Sequence, residues 1–209
     1  MPVERQNNQE HLIGASCNEL IKEILHSNKQ IIRIKFKEYF YIHRIMDEDK
    51  KDKYDKFFDL TPEEFFLGAE LNRRIKSLEA DWTIGILSKV VLKDFTEAHI
   101  PMMDFKCMPN PKNLQNVKEG LKTIVKEKKG FILETGESYH YYGVKLLSND
   151  EWLDFMGKCL LTNGIRDKEQ TEDLVDERYV GYRILARHCC LRITTDKEKT
   201  FLPKVVATL

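Results

Sequence analysis

The chain has 209 residues, 42% hydrophobic and 10% aromatic, and its 34 basic and 34 acidic side chains cancel to a formal charge of zero. This composition can bury a sizeable core and excludes intrinsic disorder, while the balanced charge gives no chain-wide field for non-specific nucleic-acid binding. Five cysteines without a Cys-x-x-Cys pair point to a reducing compartment without disulfides, and no apolar run reaches the roughly 20 residues of a membrane span, so a soluble, cytoplasmic protein is expected.

The order of elements predicts an α+β or α/β protein with an α-rich N-terminal part (1–79) and a strand-containing part (80–209). Residues 1–11 are polar and read as a frayed end. Ser16 and Glu19 have capping-box spacing ahead of Leu20, Ile21, Ile24 and Leu25, which predicts a short amphipathic helix to about His26. Gln30 to Phe36 reads as a strand. The run from Asp47 to Asp55 mixes acids and lysines, which is the pattern of a solvated face rather than a metal site. Thr61-Pro62-Glu63-Glu64 supplies an N-cap, a proline at the first helical position and a glutamate at the third, opening a helix expected to end near Glu79.

From Trp82 onward the pattern turns to strands. Trp82 to Ile86 and Lys89 to Leu92 read as a strand pair, and Ala98 to Phe105 as an apolar strand that delivers Asp104 at its end. Asn110-Pro111 opens a second helix, with Leu114, Val117, Leu121, Ile124 and Val125 on one stripe and Gly130 expected as its C-terminal cap. The following Phe131-Ile-Leu strand completes a β-α-β succession. Ser148 and Glu151 form another capping box before Trp152, Phe155, Met156 and Cys159. Asp176 precedes a helical Tyr179 to Ala186, and Cys190 to Thr194 reads as a last strand. His188-Cys189-Cys190 lacks a second ligand pair at zinc spacing.

The most informative stretch is Gly136-Glu-Ser-Tyr-His-Tyr-Tyr-Gly143. Thr135-Gly136-Glu137 punctuates a hairpin, and Ser138 to Val144 is its returning strand. Period-2 geometry places Ser138, His140 and Tyr142 on one face and Tyr139, Tyr141 and Gly143 on the other. A hydroxyl and an imidazole sharing a face can serve phosphate oxygens or an ordered water; equally, a histidine among aromatics can be a core residue. Carboxylates at strand ends, Asp104 and Asp176, are the type of group that holds Mg²⁺ or Mn²⁺ for phosphoryl transfer, with Ser138, His140 and Arg192 available for a polyphosphate.

Taken in order, Pro101-Met-Met-Asp104-Phe, the Gly130 to Gly143 segment with Ser138 and His140, Leu146-Leu-Ser-x-x-Glu-Trp152, Asp176-x-Arg-Tyr-Val-Gly-Tyr-Arg and Leu191-Arg192-Ile-Thr resemble the catalytic core of the archaeo-eukaryotic primase superfamily. The likeness is strongest to small primase-polymerase domains of bacterial genomes and mobile elements, and it covers roughly residues 80–209. The resemblance implies an RRM-like catalytic sheet with flanking helices and metal-dependent addition of nucleotides to DNA or RNA. It implies catalytic roles for Asp104, His140 and Asp176, and Mg²⁺ or Mn²⁺ on Asp104 and Asp176. The expected partners are a nucleoside triphosphate and a DNA or RNA template, with Ser138 and Arg192 as substrate contacts.

One position departs from the family pattern. Lys106 stands where a second acid would follow Asp104, and two readings therefore remain open. In the first the chain is a nucleotidyltransferase of DNA primase/polymerase type; Glu134 is then the one candidate for a displaced carboxylate. In the second it keeps the fold and binds nucleotide or nucleic acid without turnover, with Lys106 contacting the anionic substrate. A third, an assembly subunit docking a helicase or other replication protein through aromatic surface, suits the Tyr139–Tyr142 cluster poorly.

Overall fold

Side-chain caps start the helices where the sequence places them, in a computed structural model that describes residues 9–40, 55–125, 129–164 and 173–209. Ser16 closes a complete capping box on α1 (Cys17–Ser27), Thr61 does so on α2 (Pro62–Leu67), and Asn110 accepts from the Asn113 N–H at the start of α4 (Pro111–Ile124). Ser148 completes the set on α5 (Asn149–Leu161). Each such cap stabilises its helix by about 1 kcal/mol. The helix expected to run from Thr61 to Glu79 is broken: Gly68 takes a left-handed conformation (φ 71°) that ends α2 and precedes α3 (Ala69–Ser77). Sixth in order is α6 (Glu177–Ala186).

Two antiparallel sheets carry the rest. In the first, β1 (Ile31–Phe40) lies between β2 (Lys56–Leu60) and β3 (Trp82–Leu92). On its other side β3 pairs through Lys89–Val91 with β4 (Glu97–His99) and through Gly85–Leu87 with β8 (Cys190–Arg192). The second sheet has the order β5 (Met102–Asp104), β7 (Tyr139–Gly143), β6 (Gly130–Glu134), β9 (Lys204–Thr208). Because β7 is antiparallel to both β5 and β6, those two run parallel with α4 between them in sequence, the split β-α-β arrangement. The fold is thus α+β, and strand β1 from the N-terminal part shares a sheet with β3 from the C-terminal part.

Several expected boundaries moved. The strand pair proposed for Trp82–Leu92 is one continuous strand, since no turn residue interrupts it. The Ala98–Phe105 strand is two, because the chain crosses between sheets at Ile100-Pro101. Gly130 does not cap α4, which ends at Val125; it opens β6. Its lack of a side chain has another cause: a Cβ there would lie 2.5 Å from the Tyr141 ring. Strands β2 and β9 were not foreseen. The charged run from Asp47 lies outside the described residues except for Asp55, which pairs with Lys37 at 2.5 Å.

The core joins both sheets. Tyr139, Tyr141 and Tyr142 are each at most 2% exposed, so the octet's aromatics are interior on both faces of β7. Tyr141 tilts against Phe155 of α5, and Tyr142 accepts a hydrogen bond from the Cys17 thiol of α1 at 3.3 Å. A buried polar chain fastens α5 to the first sheet. The Cys189 N–H donates to Ser88 Oγ, Ser88 Oγ contacts His99 Nδ1 at 3.0 Å, and His99 Nε2 meets Asn149 Oδ1 at 3.0 Å. Burial holds the His99 pKa down, keeping the ring neutral for this role.

Candidate functional site

The pairing of β5 with β7 sets Asp104 directly opposite His140 across the strands. The carboxylate Oδ1 lies 3.6 Å from His140 Nε2, and the Ser138 hydroxyl makes a hydrogen bond that favours the ionised carboxyl. Ser138 is placed by the turn before β7: its carbonyl accepts from the Thr135 N–H, and its own N–H donates to Thr135 Oγ1. Gly136 makes that turn possible. It sits at φ 93°, and a Cβ there would lie 2.7 Å from Phe201. Asp104, Ser138 and His140 therefore come together at the β5–β7 pairing.

Electrostatics in this cleft invert the simple picture of an ion pair. Desolvation pushes the Asp104 carboxyl up to about 7, opposed by Arg192, Lys199, the Ser138 hydrogen bond and Arg183. Desolvation, aided by Arg192, pushes His140 down to about 3. Burial thus works against the charged form of both groups. The His140 side chain is 7% exposed while that of Asp104 is 39% exposed, so the carboxyl forms the mouth of the site and the imidazole its floor. His140 Nδ1 is buried without a hydrogen-bond partner among the described residues.

The other predicted residues take different positions. An antiparallel bridge between Phe105 and Val175 sets Asp176 beside Asp104 in register. The Asp176 carboxylate, however, accepts from the Arg178 and Tyr179 N–H groups as the N-cap of α6. Lys106 turns to Asp173 at 3.3 Å. Arg192 donates from its guanidinium to the carbonyls of Thr194, Phe201 and Thr135 at 2.9, 2.7 and 3.1 Å. It clamps the turn that carries Ser138 and His140 to the first sheet and to the C-terminal loop. Glu134 cannot supply a displaced ligand beside Asp104: it pairs with Tyr139, one position away from His140 and hence on the other face of the sheet.

Three further side chains enter this environment. Tyr179 and Arg183, one turn apart on α6, place a guanidinium 5.5 Å from the phenol ring, and Asp104 acts on the Tyr179 hydroxyl. Lys199 reaches Glu137. Of these, Tyr179 and Arg183 had a readable signal, their i, i+4 spacing behind Asp176; Lys199 had none, because a loop brings it in.

The donor set does not fit a two-ion centre. Mg²⁺ and Mn²⁺ want several ionised oxygen ligands. Burial disfavours the charged form of Asp104, Asp176 has one of its two oxygens engaged by backbone N–H groups, and Lys106 stands where an acid would be. Among the described residues no three His, Cys, Asp or Glu side chains are grouped to hold a metal ion. A groove lined by Pro101, Tyr141, Val144 and Phe155, with Lys129, Lys145 and Lys158 also lining it, opens on the opposite face of the second sheet from His140.

Among the described residues no helix is long and apolar enough to cross a membrane. No curated protein and no solved structure gives a significant match to this chain. The family described as AEP-like, archaeo-eukaryotic primase 1D-like, matches residues 65–204. That span runs from before β3 through β8 and contains Asp104, Ser138, His140, Asp176 and Arg192, and the chain belongs to this family of the archaeo-eukaryotic primase superfamily.

Proposed function

We propose that the chain is a primase-type module that holds a nucleoside triphosphate, or a DNA or RNA strand, through phosphate at Asp104, Ser138 and His140, and that it has lost metal-assisted nucleotide addition. The observation that carries this reading is Lys106: in place of the second acid stands an ammonium bound to Asp173. The residues that remain suit binding. The Ser138 hydroxyl and a neutral His140 ring offer a hydrogen-bond donor each. The recessed floor excludes water, which strengthens such contacts. Residues 80–209 supply every one of these groups, and the 1–79 part supports them through the sheet shared by β1 and β3. Five free cysteines support a reducing, cytoplasmic location.

The competing reading, a DNA primase/polymerase-type nucleotidyltransferase with Mg²⁺ or Mn²⁺ on Asp104 and Asp176, is favoured by the register that brings those two residues side by side. Primer extension separates the two. Wild type is expected to bind labelled nucleoside triphosphate and to yield no extended product in Mg²⁺ or Mn²⁺, whereas Lys106→Asp should raise divalent-ion affinity by adding a hard oxygen ligand. Robust extension by the wild type would sink the binding-only reading.

A further inference from the structure

The turn from Thr135 to Ser138 is closed by more bonds than its shape requires. The Thr135 N–H donates to the Ser138 carbonyl at 3.0 Å, and from behind the Arg192 guanidinium donates to the Thr135 carbonyl at 3.1 Å. The Thr135 side chain, buried at 5% exposure, is directed at the same serine. Its Oγ1 accepts the Ser138 N–H at 3.1 Å, and it lies 3.1 Å from the Ser138 carbonyl oxygen and 3.2 Å from Ser138 Oγ. Ser138 in turn stands at the head of β7, two residues before His140, and its hydroxyl is a partner of the Asp104 carboxyl.

Each of the two hydroxyls has a single proton. The Ser138 carbonyl already receives the Thr135 N–H, so the acceptor still short of a donor within reach of Thr135 Oγ1 is Ser138 Oγ. Once that bond is made, the Ser138 proton is left to point out of the turn and into the cleft. A hydroxyl that accepts one hydrogen bond is polarised into a stronger donor of its own. Without the Thr135 hydroxyl the Ser138 O–H would rotate freely, and the Ser138 N–H would lose its acceptor.

We propose that Thr135 is a positioning residue of this site: its hydroxyl donates to Ser138 Oγ and so turns the Ser138 proton toward the phosphate oxygen of the ligand. The inference rests on the binding reading proposed above and adds to it the group that orients one of its donors. Thr135 acts on the ligand only through Ser138. In the sequence it reads as hairpin punctuation alone.

The test is calorimetric titration of the full chain with ATP and with inorganic tripolyphosphate, for wild type, Thr135→Val, Thr135→Ser, Ser138→Ala and the double variant Thr135→Val/Ser138→Ala. Thr135→Val should weaken both probes about fivefold, the factor for one ordinary hydrogen bond, and Ser138→Ala about tenfold, since its bond goes to a charged group. Thr135→Ser keeps the hydroxyl and should stay within about twofold of wild type. In the Ser138→Ala background, Thr135→Val should cost no further affinity, a coupling that a residue merely shaping the turn would not show. If Thr135→Val does not fold, Thr135→Cys replaces it in the same comparison: its thiol is a weak donor and acceptor, and a loss of about threefold relative to Thr135→Ser is expected. Equal affinities for Thr135→Cys and Thr135→Ser would then overturn the inference. Wild-type affinity in Thr135→Val, or losses that add in the double variant, overturns it and leaves the binding reading standing. A loss beyond about a hundredfold in Ser138→Ala exceeds one charged hydrogen bond and overturns it too, because the serine would then hold the turn rather than the ligand. Absence of binding by wild type brings down both.

Discussion

Replacing Arg192 with methionine separates a structural clamp from a ligand contact. Methionine keeps most of the buried stem and removes the guanidinium. The loss is three charged hydrogen bonds to the carbonyls of Thr194, Phe201 and Thr135, from a side chain that is 8% exposed. Hydrogen bonds from charged donors are worth about 1.5–3 kcal/mol each, but they are not additive, and Phe201 is 40% exposed so its carbonyl can recruit water. A net destabilisation of about 3 kcal/mol follows, which in a chain of this size lowers the melting temperature by roughly 6–12 °C. The same substitution removes the largest cation acting on Asp104, so the carboxyl should move further above its ordinary value. Differential scanning calorimetry reads the first effect, and the carboxyl carbon shift of Asp104 in a pH titration reads the second. A melting temperature unchanged within about 2 °C, combined with lost nucleotide affinity, would refute the clamp and return Arg192 to the phosphate contacts.

The Asp104–His140 pair predicts a pH dependence that is hidden until one member is removed. His140 has a depressed folded pKa, so its contribution is present above about 6.5 and is lost as pH falls toward about 3; Asp104 has a raised one, present below its ordinary 3.8 and lost as pH rises through about 7. Over the shared window the two oppose each other, with the 39%-exposed Asp104 discounted for solvent screening. Asp104→Asn should therefore expose stability that rises with pH between about 3 and 6.5, at up to roughly 1.4 kcal/mol per unit; urea unfolding at several pH values showing a flat profile would contradict it. Gly85→Ala should destabilise by about 1–3 kcal/mol, because its Cβ would meet the Cys190 sulfur at 2.4 Å, and a neutral result in chemical denaturation would count against that packing. Phe95 holds φ 64° in the β3–β4 turn while 81% exposed, so Phe95→Gly should stabilise by about 1 kcal/mol, and a lowered melting temperature would show that the ring packs.

How far the sequence could be read depended on the range of the interactions. Caps are local: Ser16, Thr61, Asn110 and Ser148 each bond within three residues, and each starts a helix where its spacing places it. The period-2 pattern of the octet likewise set Ser138 and His140 on one face, and the adjacent strand supplied Asp104. What local pattern could not show was how a side chain is used once long-range contacts compete for it. Asp176 has the right type and position for a ligand, yet the helix that begins one residue later recruits its carboxylate as a cap. Arg192 reads as a phosphate contact, yet it faces three carbonyls contributed by segments far apart in sequence. Strand β9 was missed because Lys204 to Thr208 is short and finds its partner, β6, across some 70 residues of chain.

The same competition bears on what the family resemblance can carry. A family assignment transfers the scaffold, because β5, β7 and the Asp104–His140 register follow from backbone pairing. It does not transfer chemistry, which depends on the charge of one or two side chains. Here the difference is concentrated at Lys106: exchanging an acid for an ammonium alters the local charge by two units and attracts Asp173 from the segment before α6. That segment also carries Asp176, so the ion pair and the helix cap bind the same stretch of chain on either side of Val175. Both backbone N–H groups reach the same oxygen of the Asp176 carboxylate, Oδ1, which fixes its orientation and leaves Oδ2 as the oxygen open to an ion. An ion there would have as its acidic ligands one oxygen of Asp176 and the Asp104 carboxyl, whose charged form burial disfavours, with the Lys106 ammonium in place of a third.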